Sequence, residues 1–482
     1  MSPIILLTCI ALYFLILLGV AMYTARGSNN ETFFIGNKNS HWMLVAFGMI
    51  GTSLSGVTFV SVPGTVGFNQ FTYFQVVIGY FIGYFVVAYV LLPLYYRLQL
   101  TSIYHYLQHR FGIKSYKTGA LFFIASRTLG ATLRLYLVIN VMQLFILDAF
   151  GVPFAATALL ILIMILLYTF KGGVKTIVWT DTLQTFFMLL ALVVCVGYIM
   201  NDLGLSVSET INQLQQSGYS TMLVTDAWDK RFFIKQIVGG AFITISMTGL
   251  DQEMMQKNIS VKKLGDSQKN MLTFSSVMVL VNLLFLLLGG LLYLYASNKG
   301  LLVKGDDLFP TIALQYLPPT ISLIFIIGLI SALFPSADGA ITALTSSFCI
   351  DILGLQRNKT LSENQQSKIR MRVHLTFAVV FLLFVLYFKW LDNKSIIGIL
   401  LDIAGYTYGP LLGLFAFGIL TKRHLNDDAA PWICLASPII CYWFQQQSAN
   451  LLSGYQFGIE MLIVNGLLTF TGLWAISKKA TT

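Results

Sequence analysis

Residues Gly48 to Gly67 read GMIGTSLSGVTFVSVPGTVG, with five glycines, Pro63, and hydroxyls at Thr52, Ser53, Ser55, Thr58, Ser61 and Thr65. The stretch lies within an apolar run of bilayer length, yet glycine and proline weaken a helix interior and so many hydroxyls suit lipid badly. A spanning helix of this composition is expected to break inside the membrane and to face a cavity or other helices. An unwound turn there frees backbone carbonyls for a cation, and the helix ends beside it offer partial charge to a solute.

The rest of the chain sets this break in a membrane protein. Of 482 residues, 56% are hydrophobic and 10% charged, and the apolar residues fall in blocks of about twenty, the length that crosses a bilayer. Such blocks leave no room for a soluble domain, so residues 1–482 are expected to form a single all-α integral membrane domain. Hydropathy places thirteen transmembrane helices near residues 3–24, 41–67, 71–97, 117–148, 153–170, 176–200, 231–256, 270–297, 308–352, 368–388, 395–420, 429–446 and 454–476. The first run, Ile4 to Ala25, is too long for a signal-peptide core and is read as a retained span.

The net charge of +10 is carried by the loops, so it points to a bilayer and not to nucleic acid. Alternate loops on one side hold about three times as many Lys and Arg as those on the other, which predicts an N-terminus outside and a C-terminus in the cytoplasm of the cell membrane. Arg127 and Arg134, in the fourth run, are the only basic residues this reading leaves in the bilayer. In the largest outside loop, Ser206 and Glu209 have capping-box spacing and predict a short surface helix.

A second interruption, SMTGLDQEMMQ from Ser246 to Gln256, lies in the seventh run, five spans after the first. Broken helices in corresponding positions of two halves point to an inverted-repeat transporter with its site at the midplane between the breaks. The ninth run contains SALFPSADGAITALTSSFCID, from Ser331 to Asp351, with Pro335, Asp338 and six hydroxyl residues. An Asp inside a span is costly and marks an ion or substrate path. A dehydrated Na+ needs hard oxygen ligands, by extension of the rule for oxygen-loving cations, and Ser336 is the best hydroxyl candidate. Pro335 leaves the carbonyl of Ser331 without its helical donor. The bland reading is that the small and hydroxyl residues serve tight packing, which leaves Asp338 unexplained.

Other polar residues admit two readings each. Asp181, in VWTDTLQ, is either an interfacial carboxylate or, paired with Asp338, part of a second site that holds a cation or shares a proton. Arg127 and Arg134 are seven residues apart on one helical face, and either contacts an anionic solute or pairs with a buried acid. Asp251 and Gln252 serve either the second break or the scaffold, and Asp402, in ILLDIAGYTYGP, is a candidate for polar groups of a solute. His105 and His109 read as a solvated helix face. Cys9, Cys195, Cys349, Cys434 and Cys441 have neither metal nor redox spacing, and no HExxH, GxSxG or phosphate-loop motif gives enzyme chemistry an anchor.

Taken together, TSLSGVTF with VPG, KGGVKTIVWTD, LDQEMMQK and SALFPSADGAITALTSSFCID resemble the sodium:solute symporter family, which includes sodium/glucose, sodium/proline and sodium/sialic acid carriers. The resemblance covers nearly the whole chain. It implies a LeuT-type core of two inverted five-helix repeats, about residues 41–200 and 231–420, with one extra N-terminal and two extra C-terminal helices. It implies sodium-coupled import of a small polar organic solute, a sugar, sugar acid or organic acid, by alternating access. A proton-coupled symporter, a transporter-like solute sensor and a channel are the rival readings.

Residue by residue, the resemblance implies a sodium site between the carbonyls of Gly51 and Leu54 and, in the eighth core helix, Ala332 and Ser336. Where relatives commonly have consecutive hydroxyls there, Pro335 takes the first position and Ser336 keeps the second. A second sodium of some relatives lies between an aspartate, here Asp181, and two serines, matched here by Asp338 and Gly339. Ser53 and Thr58 match solute-facing positions of the sugar carriers, but Val77 stands where those have a carboxylate and Met247 where an aromatic gate is expected. The two arginines make a carboxylate-bearing solute worth testing beside sugars.

Overall fold

The computed structural model describes residues 3–25, 33, 40–355, 357, 360–391, 396–451, 455 and 457–479. Among them the chain is helical, with two isolated β-bridges and no strand. Helix α1 covers Pro3–Thr24. The second run forms α2 (Trp42–Ser53) and α3 (Gly56–Asn69), bent by 54° at a break, and α4 begins at Tyr73 and ends at Val86. Helix α5 is Ile113–Met142 and α6 is Phe154–Asp202. Gly173 divides α6 with φ 54° and ψ −146°, a left-handed conformation that glycine adopts freely. A Cβ there would also lie 2.4 Å from the Phe33 Cα. Gly173 thus makes the corner between the fifth and sixth expected spans.

The segment after α6 contains α7 (Val207–Gln216), closed by the expected capping box. The Ser206 amide and hydroxyl donate to Glu209 Oε2, at 2.8 and 2.6 Å. The seventh run forms α8 (Phe233–Thr244), which continues through a wider turn to Gly249, and α9 (Gln252–Ile259), bent by 64°. Then come α10 (Leu264–Asn298), α11 (Pro319–Ser347), α12 (Glu363–Leu391), α13 (Ile396–Leu420), α14 (Ala430–Leu451) and α15 (Met461–Ala475).

Among the described residues eight helices are long and apolar enough to cross a membrane, ten if each bent pair counts as one span, against the thirteen expected. Phe154–Thr169 and Met461–Ala475 are apolar but short. The expected span 308–352 is corrected: short turns over 308–316 end before Pro318 and Pro319, and α11 starts afresh because proline fits the first turn of a helix but not its interior.

Two packing features place the site. Helices α4 and α8 cross at contact distance through glycines: a Cβ on Gly79 would fall 2.2 Å from Ile237 O, and one on Gly240 2.4 Å from Val76 O. Helix α11 runs through the middle of the bundle, against α2, α3, α5, α6 and α9. Every residue from Gly328 to Ser347 is buried, so its hydroxyls and carboxylate face protein and not lipid.

Candidate functional site

The first break is local in origin. Leu54 N–H donates to Ile50 O at 2.8 Å, and the ladder resumes only with Phe59 N–H to Ser55 O at 3.0 Å. Among the described residues no backbone amide takes up the carbonyls of Gly51 or Leu54. Gly51 allows α2 to lie against the second half of α6, since a Cβ would meet Thr185 Oγ1 at 2.3 Å. In α11, which packs against both α2 and α3, Ala332 and Ser336 are buried, and the Ser336 hydroxyl donates within its own helix, to Ala332 O (3.2 Å) or Leu333 O (3.1 Å). Pro335 sits within α11, and the neighbouring Ser331 hydroxyl pairs with the Tyr13 hydroxyl at 2.6 Å, tying α1 to this helix. Free carbonyls and a buried hydroxyl are oxygen donors of the kind that Na+ favours, so the residue types present fit the ion.

The second break is closed by charge. Asp251 caps α9, accepting from the amides of Glu253 (2.9 Å) and Met254 (3.2 Å), and it also accepts from the Tyr408 hydroxyl at 2.8 Å. Glu253 is ion-paired with Arg127, whose other nitrogen lies 3.8 Å from Asp251. One turn on, Lys257 Nζ lies 2.7 Å from Asp181 Oδ2 and 3.6 Å from Glu253 Oε1, and donates to Thr52 Oγ1 at 2.5 Å. Thr52 donates to Asp181 Oδ2 at 3.1 Å. A continuous buried chain of charge, Arg127 to Glu253 to Lys257 to Asp181, therefore joins α5, α9 and α6. Each member has partners of opposite sign, which burial in low dielectric demands.

Between the breaks lies a cavity of ≈ 100 Å³ walled by residues that include Ser53, Thr58, Tyr73, Tyr80, Tyr84, Thr248 and Asn282, with Arg127 and Arg134 on one side. Arg134 is buried, its Nε lacks a hydrogen-bond partner, and among the described residues no acidic side chain pairs with it. Tyrosine, threonine and asparagine opposite a guanidinium are suited to a solute with both hydroxyl and acidic groups.

The structure sorts the expected residues. Ser53, Thr58 and Arg134 share the cavity wall, and Met247 lines it too. Arg127 lines it but is bound to Glu253. Asp251 is committed to capping α9, and Gln252 turns away, donating to Thr101 O (3.1 Å) and accepting from Ile103 N–H (3.0 Å). Both are engaged within the fold, as in the scaffold reading, and neither is part of the cavity wall as the solute-binding candidates Ser53 and Thr58 are. Asp402 is exposed and not part of the wall, whereas Leu400 and Leu401 are, which corrects that candidate as well. Asp181 and Asp338 are not joined to each other: Asp181 holds Lys257, and Asp338 accepts from the Tyr168 hydroxyl (2.6 Å) and the Gly339 amide (2.5 Å). His105 is also corrected. It is half-buried and stacked on Tyr116, with ring centroids 5.1 Å apart, while His109 is exposed.

The residues missed are Lys257, Glu253, Thr52 and Tyr168. Lys257 is a further basic residue buried in the bundle, besides the two arginines expected there. One signal was available: Glu253 and Lys257 are four apart, the spacing that places two charges on one helical face.

A model of the sodium:solute symporter family matches residues 33–435. The sodium/sialic acid symporter SiaT of Proteus mirabilis is 22% identical over 477 residues, covering 96% of this chain and 94% of that one. Sodium-coupled monocarboxylate transporter 1 of Mus musculus is 25% identical over 443 residues, covering 87% and 69%. Among solved structures, a Na+-coupled sialic acid symporter in a substrate-bound outward-open state superposes with a TM-score of 0.85 at 19% identity, over 98% of this chain and 99% of that one.

Proposed function

The chain belongs to the sodium:solute symporter family, and from that premise we propose that it imports a small carboxylate-bearing solute, a sugar acid or an organic acid, together with Na+. The observation that carries the solute class is Arg134, a buried guanidinium without an acidic partner among the described residues, in a cavity whose other polar groups are chiefly hydroxyls and the Asn282 amide. Burying an unpaired cation is costly, and an incoming carboxylate offsets that cost with a charge-assisted pair. Ser53, Thr58, Tyr73 and Asn282 are placed to take hydroxyls of the solute. Sialic acid and monocarboxylate carriers among the relatives support an acidic solute, since both substrates present a carboxylate.

Gly51, Leu54, Ala332 and Ser336 hold the Na+ in this reading, beside the cavity. The ion secures the broken helix α2/α3 against α11, so its binding stabilises the arrangement that forms the solute site. Ligand pockets commonly run to about 300–1,000 Å³, so a sugar acid requires the broken helices to move away from α5, as expected of alternating access. The two halves of the core are residues 41–200 and 231–420, with the N-terminus outside and the C-terminus in the cytoplasm, as loop charge suggests. Each Na+ entering gains about 2.3 kcal/mol per 100 mV, which drives accumulation.

The test is uptake into proteoliposomes under an imposed Na+ gradient, with panels of sugar acids, monocarboxylates and neutral sugars. Concentrative uptake of acids but not of their amides is expected. Solute binding without accumulation would favour a sensor, flux without accumulation a channel, and preference for neutral sugars would defeat the role given to Arg134.

A further inference from the structure

We propose that Lys257 is a built-in substitute for a second coupling ion: its ammonium occupies the cation position beside Asp181, and the chain binds a single Na+. The inference rests on the Na+-coupled reading above and sharpens it. The expected second site takes Asp181 with the side chains at positions 338 and 339, and all three environments are altered in a consistent way. Asp181 Oδ2 is held by Lys257 Nζ at 2.7 Å and by the Thr52 hydroxyl at 3.1 Å. Asp338 is turned to the Tyr168 hydroxyl and to the amide of Gly339. Position 339 has no side-chain oxygen to offer.

The glycine locates the ammonium. A Cβ on Gly339 would lie 3.4 Å from Lys257 Nζ and 2.3 Å from Glu253 Oε1. The direction in which a serine hydroxyl would reach a bound ion is thus the direction in which Lys257 and Glu253 already stand. The ammonium has an oxygen shell of its own, with Asp181, Thr52 and, more distantly, Glu253. A Na+ placed among the same oxygens would meet a like charge at contact distance in low dielectric.

In this cluster two buried carboxylate oxygens, Asp181 Oδ1 and Glu253 Oε1, lack a hydrogen-bond partner among the described residues, but each belongs to a carboxylate that already faces Nζ. Among the described residues no three acidic, His or Cys side chains are arranged to hold a metal. The tethered cation differs from an ion in one respect: it cannot leave. A cycle built this way is driven by one Na+, and the Asp181 position supports the bundle without being emptied and refilled.

The test counts Na+ on the purified full chain without solute, by equilibrium binding of radioactive Na+ and by Na+-dependent thermal stabilisation against choline. Wild type should bind one Na+ per chain with a Hill coefficient near one, and Ser336→Ala should abolish that binding. Lys257→Gln should uncover a second, weaker Na+, and Lys257→Gln with Asp181→Asn should return the count to one. Should the glutamine variant fail to fold, Lys257→Arg, which keeps the charge, should still bind one, and the wild-type count decides alone. Two Na+ on the wild type would overturn the inference and leave the symport reading intact. A count that stays at one in Lys257→Gln would overturn the role of the ammonium, and no Na+ binding at all would overturn the symport reading and the inference together.

Discussion

Arg127 and Arg134 lie seven residues apart on α5 and face the same cavity, yet among the described residues only Arg127 has acidic partners, Glu253 and Asp251. The same residue type thus serves two ends. Arg127 balances the charge that closes the second break, and Arg134 is left with its charge directed at the cavity.

This difference predicts opposite phenotypes. Arg134→Gln should weaken binding of the acidic solute by more than tenfold while leaving thermal stability and Na+ binding close to wild type. Arg127→Gln should instead destabilise the purified protein by about 3–5 kcal/mol, the usual cost of leaving one member of a buried pair alone. Adding Glu253→Gln to Arg127→Gln should recover much of that loss. Solute isotherms and denaturation midpoints measured on both variants check the assignment, and a solute-specific defect confined to Arg127→Gln would reverse it.

Gly51 gives a steric prediction. A Cβ there would lie 2.3 Å from Thr185 Oγ1, and that hydroxyl is fixed by bonds to Phe47 O (2.9 Å) and Asp181 O (2.7 Å), so it cannot swing aside freely. Gly51→Ala should push α2 from α6, disturb the free carbonyls of the break and lower apparent Na+ affinity at least several-fold. Thr185→Ala in the same chain removes the clashing atom and should restore most of the affinity. Na+-dependent thermal shifts on the single and double variants provide the readout, and no rescue would mean that the glycine serves the backbone and not the contact.

The breaks were legible because their signal is local: Gly, Pro and hydroxyls crowd into a few turns, as at Gly48–Gly67 and Ser246–Gln256. The charge chain was not, because Arg127 and Glu253 are joined only by the fold. Lys257 was hidden for a second reason. A hydropathy window closes where charge begins, so the seventh run stopped at residue 256 and left the lysine in a loop. The same averaging joined 308–316 to α11 across Pro318 and Pro319. For Asp402 the uncertainty was one of helical face, and no local feature distinguishes it from Leu400 and Leu401, which reach the cavity.

A pH dependence follows from His105, which lies outside the spans. Burial, with the nearby charges of Arg357 and His109, brings its imidazole down to about 4 from 6.5. A base whose folded value is lowered takes up its proton more readily when unfolded. Its contribution to stability is therefore complete above pH 6.5 and is lost as pH falls from there towards 4. Melting curves across this window should fall more steeply for wild type than for His105→Gln, and parallel curves would show that burial does not hold the ring's proton off.

Asp338 supplies the last prediction, because its surroundings separate a structural carboxylate from an ion ligand. Its Oδ2 accepts from the Tyr168 hydroxyl at 2.6 Å and its Oδ1 from the Gly339 amide, so both oxygens are engaged by neutral donors within the fold. Asn keeps one acceptor oxygen but removes the charge. If the carboxylate serves α6–α11 packing, Asp338→Asn should shift Na+ affinity less than about threefold, since no ligand of the ion is lost, while lowering thermal stability. Tyr168→Phe should lower it as well, and the double variant should cost clearly less than the two singles added, as expected for groups in direct contact. Additive losses together with a large fall in Na+ affinity would instead make Asp338 an ion ligand, and the second site would then have to be drawn with the carboxylate turned away from Tyr168 and towards Asp181.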